Sequence, residues 1–137
     1  MIHSNVGHLV FMIDGANADF YKDLLTFMGW NVIADYPGMI GLSGTNGTSL
    51  WFLGNAKPVK NDYDGPGLNH LALSVPAQGD VDVAAGYLKQ KGITHLHETP
   101  RHRPDFVQEA GHTYYQVMFE SPDRIQFEIV YTGPKAP

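Results

Sequence analysis

Apolar residues come along this chain in short bursts, and the bursts run in the same order twice. Residues 6–13 are mostly apolar on both sides and read as a strand. Asp14-Gly15-Ala16-Asn17 reads as a turn, with Asn17 capping the helix that follows and Asp19 adding negative charge to its first turn. Phe20, Leu24, Phe27 and Met28 then recur at helical spacing, up to Gly29 as a stop. Three short strands are expected next, at 31–36, 39–42 and 49–53, punctuated by Pro37-Gly38 and by the hairpin signal Asn46-Gly47. After a Gly, Pro and Asp stretch the order restarts. A strand at 68–75 leads to a helix at 81–91 with Val81, Ala84, Ala85 and Leu88 as its apolar stripe and Gly92 as its stop. A strand at 93–97 follows, and strands 114–120 and 125–131 form a hairpin around Ser121-Pro122-Asp123-Arg124.

The order is βαβββ twice, so the fold class is α+β. Residues 1–137 make a single domain: one module at 5–54, a linker at 55–66 and a second module at 67–132. In each module one helix covers one face of a small sheet, and the other face must line a cavity or meet a partner. A chain of 137 residues buries a real core, and 43% hydrophobic with 17% charged residues is a globular balance. The net charge of −5, with no dense Lys/Arg cluster, argues against nucleic acid as a partner. The absence of cysteine excludes disulfides, thiolate ligands and a Cys nucleophile, and fits a cytoplasmic location. Neither a signal peptide nor a membrane-length apolar run is expected.

Within this repeat lies candidate chemistry. Gly7-His8-Leu9 opens the first half and Asn69-His70-Leu71 the second, with the histidines 62 residues apart. Glu128 interrupts a third apolar strand. Side chains alternate along a strand, so His8 shares a face with Val10 and Met12, His70 with Ala72 and Ser74, and Glu128 with Gln126 and Val130. In each case the bulkier apolar set faces the other way, toward the helices. Two imidazoles and a carboxylate leave open metal positions and suit Fe(II), Mn(II) or a similar ion. Glu128 in so apolar a strand calls for a charge partner or a metal.

These residues, together with Tyr114-Tyr115-x-Val117-x-Phe119-x-Ser121-Pro122-Asp123-Arg124-x-x-x-Glu128, resemble the vicinal oxygen chelate superfamily, which includes glyoxalase I, bleomycin-resistance proteins, extradiol dioxygenases and fosfomycin-resistance enzymes. The resemblance covers nearly the whole chain. It implies paired βαβββ modules whose curved mixed sheets wrap a cup around a divalent metal, with His8, His70 and Glu128 at the ligand positions. Fe(II) or Mn(II) is favoured, with Zn(II) or Ni(II) as alternatives. Trp51 stands where the family's glyoxalases carry a fourth ligand, and Met118 about where extradiol enzymes tend to place a tyrosine. The resemblance implies a metal-dependent enzyme that chelates a small oxygen-rich substrate, with extradiol ring cleavage as the leading reaction. Fosfomycin-type thiol transfer, a lyase or isomerase reaction, and a metal-free binding protein of the bleomycin-resistance kind are the alternatives. A homodimer is the family habit.

The remaining expectations concern the walls of such a cup. Residues 97–112 read as a long loop, a candidate lid in which Arg101 or Arg103 meets an anionic substrate and His102 or His112 shuttles protons. Tyr114 and Tyr115 point to opposite faces; one enters the cup and the other packs as core, with Tyr115 taken as catalytic and Tyr114 as substrate-binding. Trp51 is a candidate substrate wall. His95 and His97 receive no metal role.

Overall fold

The computed structural model describes all 137 residues. It divides into two compact units, Met1–Lys60 and Asn61–Pro137, and each is βαβββ. In the first, β1 (His8–Met12) is followed by a 3₁₀ turn (Gly15–Asn17), α1 (Ala18–Phe27), β2 (Asn31–Tyr36), β3 (Met39–Ser43) and β4 (Ser49–Leu53). The sheet order is β1-β4-β3-β2, with β1 parallel to β4 and the other pairs antiparallel. In the second unit, β5 (Leu71–Ser74), α2 (Gln78–Gln90), β6 (His95–His102), β7 (His112–Glu120) and β8 (Gln126–Pro134) repeat the pattern as β5-β8-β7-β6, again with the outer pair β5/β8 parallel. No helix is long and apolar enough to cross a membrane.

Alternation sorts each sheet into a helix side and an open side. In unit 1, Phe11, Ile13, Leu50 and Phe52 are buried, and Phe52 stacks on Tyr21 of α1 at 4.4 Å. His8, Val10 and Met12 remain exposed, as parity predicted. The stripe of α1 differs from expectation: Tyr21, Leu24 and Leu25 are buried, whereas Phe27 is exposed. The helix is rotated by about one residue relative to the predicted stripe, because Tyr21 reaches the Phe52 ring. Asp14, not Asn17, makes the side-chain cap, accepting from the Ala16 N–H at 2.9 Å.

In unit 2, α2 lays Val81, Ala84, Ala85 and Leu88 on the sheet as predicted. Phe119 and Phe127 stack in that core at 5.6 Å. The stretch read as a loop is largely strand: β6 runs to His102, and Pro104–Phe106 forms a 3₁₀ turn. Strand pairing skips between Leu96 and Arg101, where Pro100 cannot donate and where His97 (φ 57°) and Glu98 (φ 58°) take the left-handed conformation. A proline and this bulge hid the strand from periodicity. Arg124 supplies the left-handed residue of the β7–β8 turn (φ 58°). Its backbone oxygen accepts from Asn61 Nδ2 at 2.8 Å, which ties the start of this unit to the turn.

Candidate functional site

The open face of unit 2 is fixed by register. Ala72 pairs with Glu128, Glu128 with Met118, Val130 with Gln116, and Gln116 with Arg101. His70, Glu128, Gln126, Gln116, Tyr114 and Arg101 therefore share one face. Ala72 and Ser74 are exposed and small, which leaves room above the strand beside Glu128.

Glu128 is 2% exposed, deep enough that a bare carboxylate there would be costly. It is not bare: Tyr114 Oη donates to Oε1, and Gln116 Nε2 donates to Oε2. His70 Nε2 lies 4.0 Å from Oε2. The polarity of this cluster can be worked out from groups that have only one option. Arg103 can only donate, and its Nη1 donates to Gln116 Oε1 at 3.2 Å. The Gln116 amide is thus oriented with its NH₂ toward Glu128, which must accept.

The same logic sets the state of His70. Asn69 Nδ2 donates to the Tyr63 carbonyl at 2.9 Å, so the Asn69 amide oxygen is the atom that faces His70 Nδ1 at 2.7 Å. An amide oxygen only accepts, so Nδ1 carries the proton. In neutral His70 the nitrogen nearer Glu128, Nε2, then holds a free lone pair. This is the tautomer a metal-ligating imidazole needs, fixed by its other nitrogen.

The pair fits a divalent cation in donor chemistry: a neutral imidazole nitrogen beside a buried carboxylate that has lone pairs to spare. His70 Nε2 and Glu128 Oε2, 4.0 Å apart, are the atoms that would hold such an ion. No group of three or more His, Asp or Glu side chains gathers in the structure, so this pair is what unit 2 itself presents. His8, the third expected ligand, stands exposed on the open face of unit 1, paired in register with Ser49.

The other expected residues divide. Tyr114 lies on the Glu128 face, and its phenol is pushed well above 10, first by burial and then by the hydrogen bond to Glu128. It stays protonated and acts there as a donor. Tyr115 lies on the helix side, where its hydroxyl donates to Asp82 of α2 at 2.6 Å. His102 lies beside it, its ring 4.5 Å from that of Tyr115 and its Nδ1 2.5 Å from Thr113 Oγ1. Register thus puts both expected catalytic groups on the face away from Glu128. Burial, and then the Lys135 charge, lower the pKa of His102.

Arg103 is not free to hold an anion. Its Nε and Nη2 engage Asp105 at 3.3 and 3.0 Å, and its guanidinium lies 4.1 Å from the Phe106 ring centre. Arg101 is more open, with only Glu98 at 3.6 Å. Trp51 shares the open face of unit 1 with Val10; its ring lies over Gly41 and its Nε1 donates to Ser49 Oγ at 2.9 Å. Sequence reasoning assigned no role to Gln116, Asn69 or His97. The available signal was a buried amide in an apolar strand, Gln116 between Tyr115 and Val117, with the parity of Glu128.

Residues 9–129 match the family model of the glyoxalase/bleomycin resistance protein/dioxygenase superfamily, so the chain belongs to that superfamily. A protein from Bacillus halodurans assigned to the glyoxalases is 25% identical, with a TM-score of 0.75 over 92% of this chain and 94% of that one. The fosfomycin resistance protein FosX of Listeria monocytogenes, solved with Mn(II) and sulfate ion, is 18% identical, with a TM-score of 0.69 over 96% of this chain and 93% of that one. The oxidase ChaP-H2 is 19% identical, with a TM-score of 0.61 over 98% of each chain. At these identities the last two likenesses are of fold. A comparison with curated proteins finds no match.

Proposed function

We propose that this protein is a divalent-metal-dependent enzyme acting on a small oxygen-rich molecule, with His70 and Glu128 among the donors and His8 of the first module as the third. The observation that carries the reading is the arrangement of the pair: Glu128, buried and accepting from two neutral donors, lies beside Nε2 of a His70 ring whose Nδ1 faces the Asn69 oxygen. The Mn(II) bound by FosX, a protein of the same fold, supports a divalent ion. When bound, such an ion supplies Lewis-acid stabilisation to adjacent oxygens of a substrate. The chain's own residues do the rest. Tyr114 and Gln116 hold the carboxylate, Ala72 and Ser74 leave space beside it, and Arg101 offers a cation on the same face to an anionic group.

Extradiol-type oxygenation is the reaction favoured here, with thiol transfer and enolate chemistry as alternatives within the same site. A second reading has an observation behind it: Val10 and Met12 are about half exposed next to Trp51, an apolar surface that suits a metal-free binding protein. Elemental analysis of protein purified without tag or chelator separates them. About one iron or manganese per chain, lost in Glu128→Ala and in His70→Ala, supports the enzyme. No metal, and no uptake of Fe(II), Mn(II), Zn(II) or Ni(II), refutes it in favour of binding. Iron with O₂ uptake on a catechol supports oxygenation, whereas manganese with a thiol cosubstrate moves the assignment to transfer.

A further inference from the structure

The hairpin signal Asn46-Gly47 takes no part in the metal chemistry, and the structure leaves it chemically open. It forms the tip of the β3–β4 turn. Below the tip the chain is tied down. The Gly44 N–H donates to the Thr48 carbonyl at 2.8 Å, Thr48 Oγ1 donates to the Val6 carbonyl at 3.2 Å, and the Ser49 N–H donates to the Gly7 carbonyl at 3.1 Å. At the tip itself Thr45, Asn46 and Gly47 are exposed, and Gly47 is left-handed at φ 85°. Asn46 Oδ1 accepts from the Thr48 N–H at 3.3 Å. A side chain that accepts from the N–H two residues on is folded over the peptide between them, so Asn46 Cγ faces the Gly47 nitrogen. That nitrogen donates to no backbone oxygen, and a Cβ built on Gly47 would meet nothing within 4 Å. Asn46 is the one asparagine of the chain that precedes a glycine; the others precede Val, Ala, Asp or His, whose side chains crowd the approach of the next nitrogen. Asn61 and Asn69 are in addition held by Nδ2 bonds to the Arg124 and Tyr63 carbonyls.

We propose that Asn46 is a site of spontaneous covalent modification, converting through a succinimide to isoaspartate and aspartate, and that the folded turn promotes this step instead of guarding against it. Hydroxide takes the proton of the Gly47 N–H. The nitrogen then forms a bond to Asn46 Cγ, the Cγ–Nδ2 bond breaks, and Nδ2 takes a proton from water and leaves as ammonia. The negative charge of the tetrahedral stage falls on Oδ1, the atom that already faces the Thr48 N–H. Water opens the ring. Cleavage at Cγ gives aspartate in an unchanged backbone; cleavage at the Asn46 main-chain carbonyl carbon gives isoaspartate, with the chain running through Cγ. The sum is one water in and one ammonia out. Aspartate keeps an oxygen for the Thr48 N–H. Isoaspartate does not, and it adds a carbon to a turn whose ends the Gly44–Thr48 bond holds fixed, so the pairing of β3 with β4 loosens there. Either product adds one negative charge to the net −5 of the chain. The proposal does not depend on the metal reading.

The test incubates the full chain at mildly alkaline pH, native and in guanidinium chloride. Products are located by peptide mass spectrometry and by enzymatic methylation of isoaspartyl carboxylates. Conversion should be confined to the peptide that carries Asn46, yield isoaspartate together with aspartate, and run in the native protein at least as fast as in the unfolded chain. Asn46→Gln, which would have to close a six-membered ring, stays unconverted. Asn46→Asp melts with wild type, whereas the isoaspartate fraction melts lower. A native rate about tenfold or more below the unfolded rate is the mark of a turn that raises the barrier by holding Asn46 away from Gly47, and it overturns the proposal. Conversion spread over the other asparagines, or aspartate without isoaspartate, overturns it as well. An isoaspartate fraction that melts with wild type removes the claimed effect on the turn.

Discussion

Gln116→Leu is the most discriminating single perturbation of stability. Gln116 is 1% exposed and joins two charged groups, donating to Glu128 Oε2 and accepting from Arg103 Nη1. Leucine fills most of the space and makes neither bond. Arg103, at 22% side-chain exposure, keeps Asp105 and can turn one N–H to water, so its loss is small. Glu128 keeps the Tyr114 hydroxyl on Oε1, but Oε2 has no such recourse, since the side chain is 3% exposed and His70 Nε2, 4.0 Å away, is beyond hydrogen-bond reach. Stripping one of two donors from a buried carboxylate costs roughly 1.5–3 kcal/mol, and the apolar gain of leucine offsets part of it, leaving about 2 kcal/mol of destabilisation. Urea unfolding followed by circular dichroism measures this as a lower midpoint at unchanged slope. The companion is Gln116→Leu with Glu128→Leu and Tyr114→Phe, which removes the carboxylate together with both of its donors and recovers most of the loss. A single variant within about 0.5 kcal/mol of wild type, or a triple variant less stable than the single, would falsify the claim that Gln116 holds the buried Glu128 carboxylate.

Three further outcomes are expected. Burial, and then Asp82, push the Tyr115 phenol up to about 12; an unfolded phenol ionises near 10, so this stability is intact below pH 10 and is lost between pH 10 and 12, at no more than about 1.4 kcal/mol per pH unit. Tyr115→Phe should flatten that part of the pH–stability curve, and an equally steep curve in the variant disproves the assignment. Gly41→Ala puts a Cβ 2.6 Å from the Trp51 ring, so the ring must shift; a destabilisation of about 1–3 kcal/mol and altered tryptophan fluorescence are expected, and unchanged emission would show that Trp51 does not cover Gly41. Leu88→Ala, at a position 0% exposed beneath α2, should cost about 2–5 kcal/mol by thermal or urea melts, and a smaller loss would mean that the helix does not pack on the sheet as described.

Period-2 and period-3.6 patterns carried the βαβββ order because a helix side and an open side demand different residues at alternate positions. They sorted Phe11 and Ile13 from His8 and Val10, and they placed the stripe of α2 to the residue. They failed where a local rule was broken for a reason. Strand β6 carries a proline and two left-handed residues, so its pattern resembles a loop; yet those are the residues that aim His97 at Gln126. Parity could say that Tyr114 and Tyr115 face opposite ways but not which way, since both faces of β7 are largely covered. The register Tyr115–His102 and the Asp82 contact settle that Tyr115 belongs to the helix side.

The arginines show the deeper limit of reading function from residue type. Arg101 and Arg103 are equivalent as letters, and both suggest an anion-binding lid. What separates them is how many of their donors are already used. Arg103 spends three N–H groups on Asp105 and Gln116, so its charge acts inward on the orientation of an amide, and an anionic substrate would have to displace Asp105 to reach it. Arg101 has one loose partner in Glu98, which is 91% exposed in its side chain, so separating them costs little. The two substitutions should therefore fail in different assays: Arg101→Met in substrate affinity with metal uptake intact, Arg103→Met in metal uptake before any substrate is added. The reverse pattern would mean that hydrogen-bond occupancy is a poor guide to which cation in this site meets substrate.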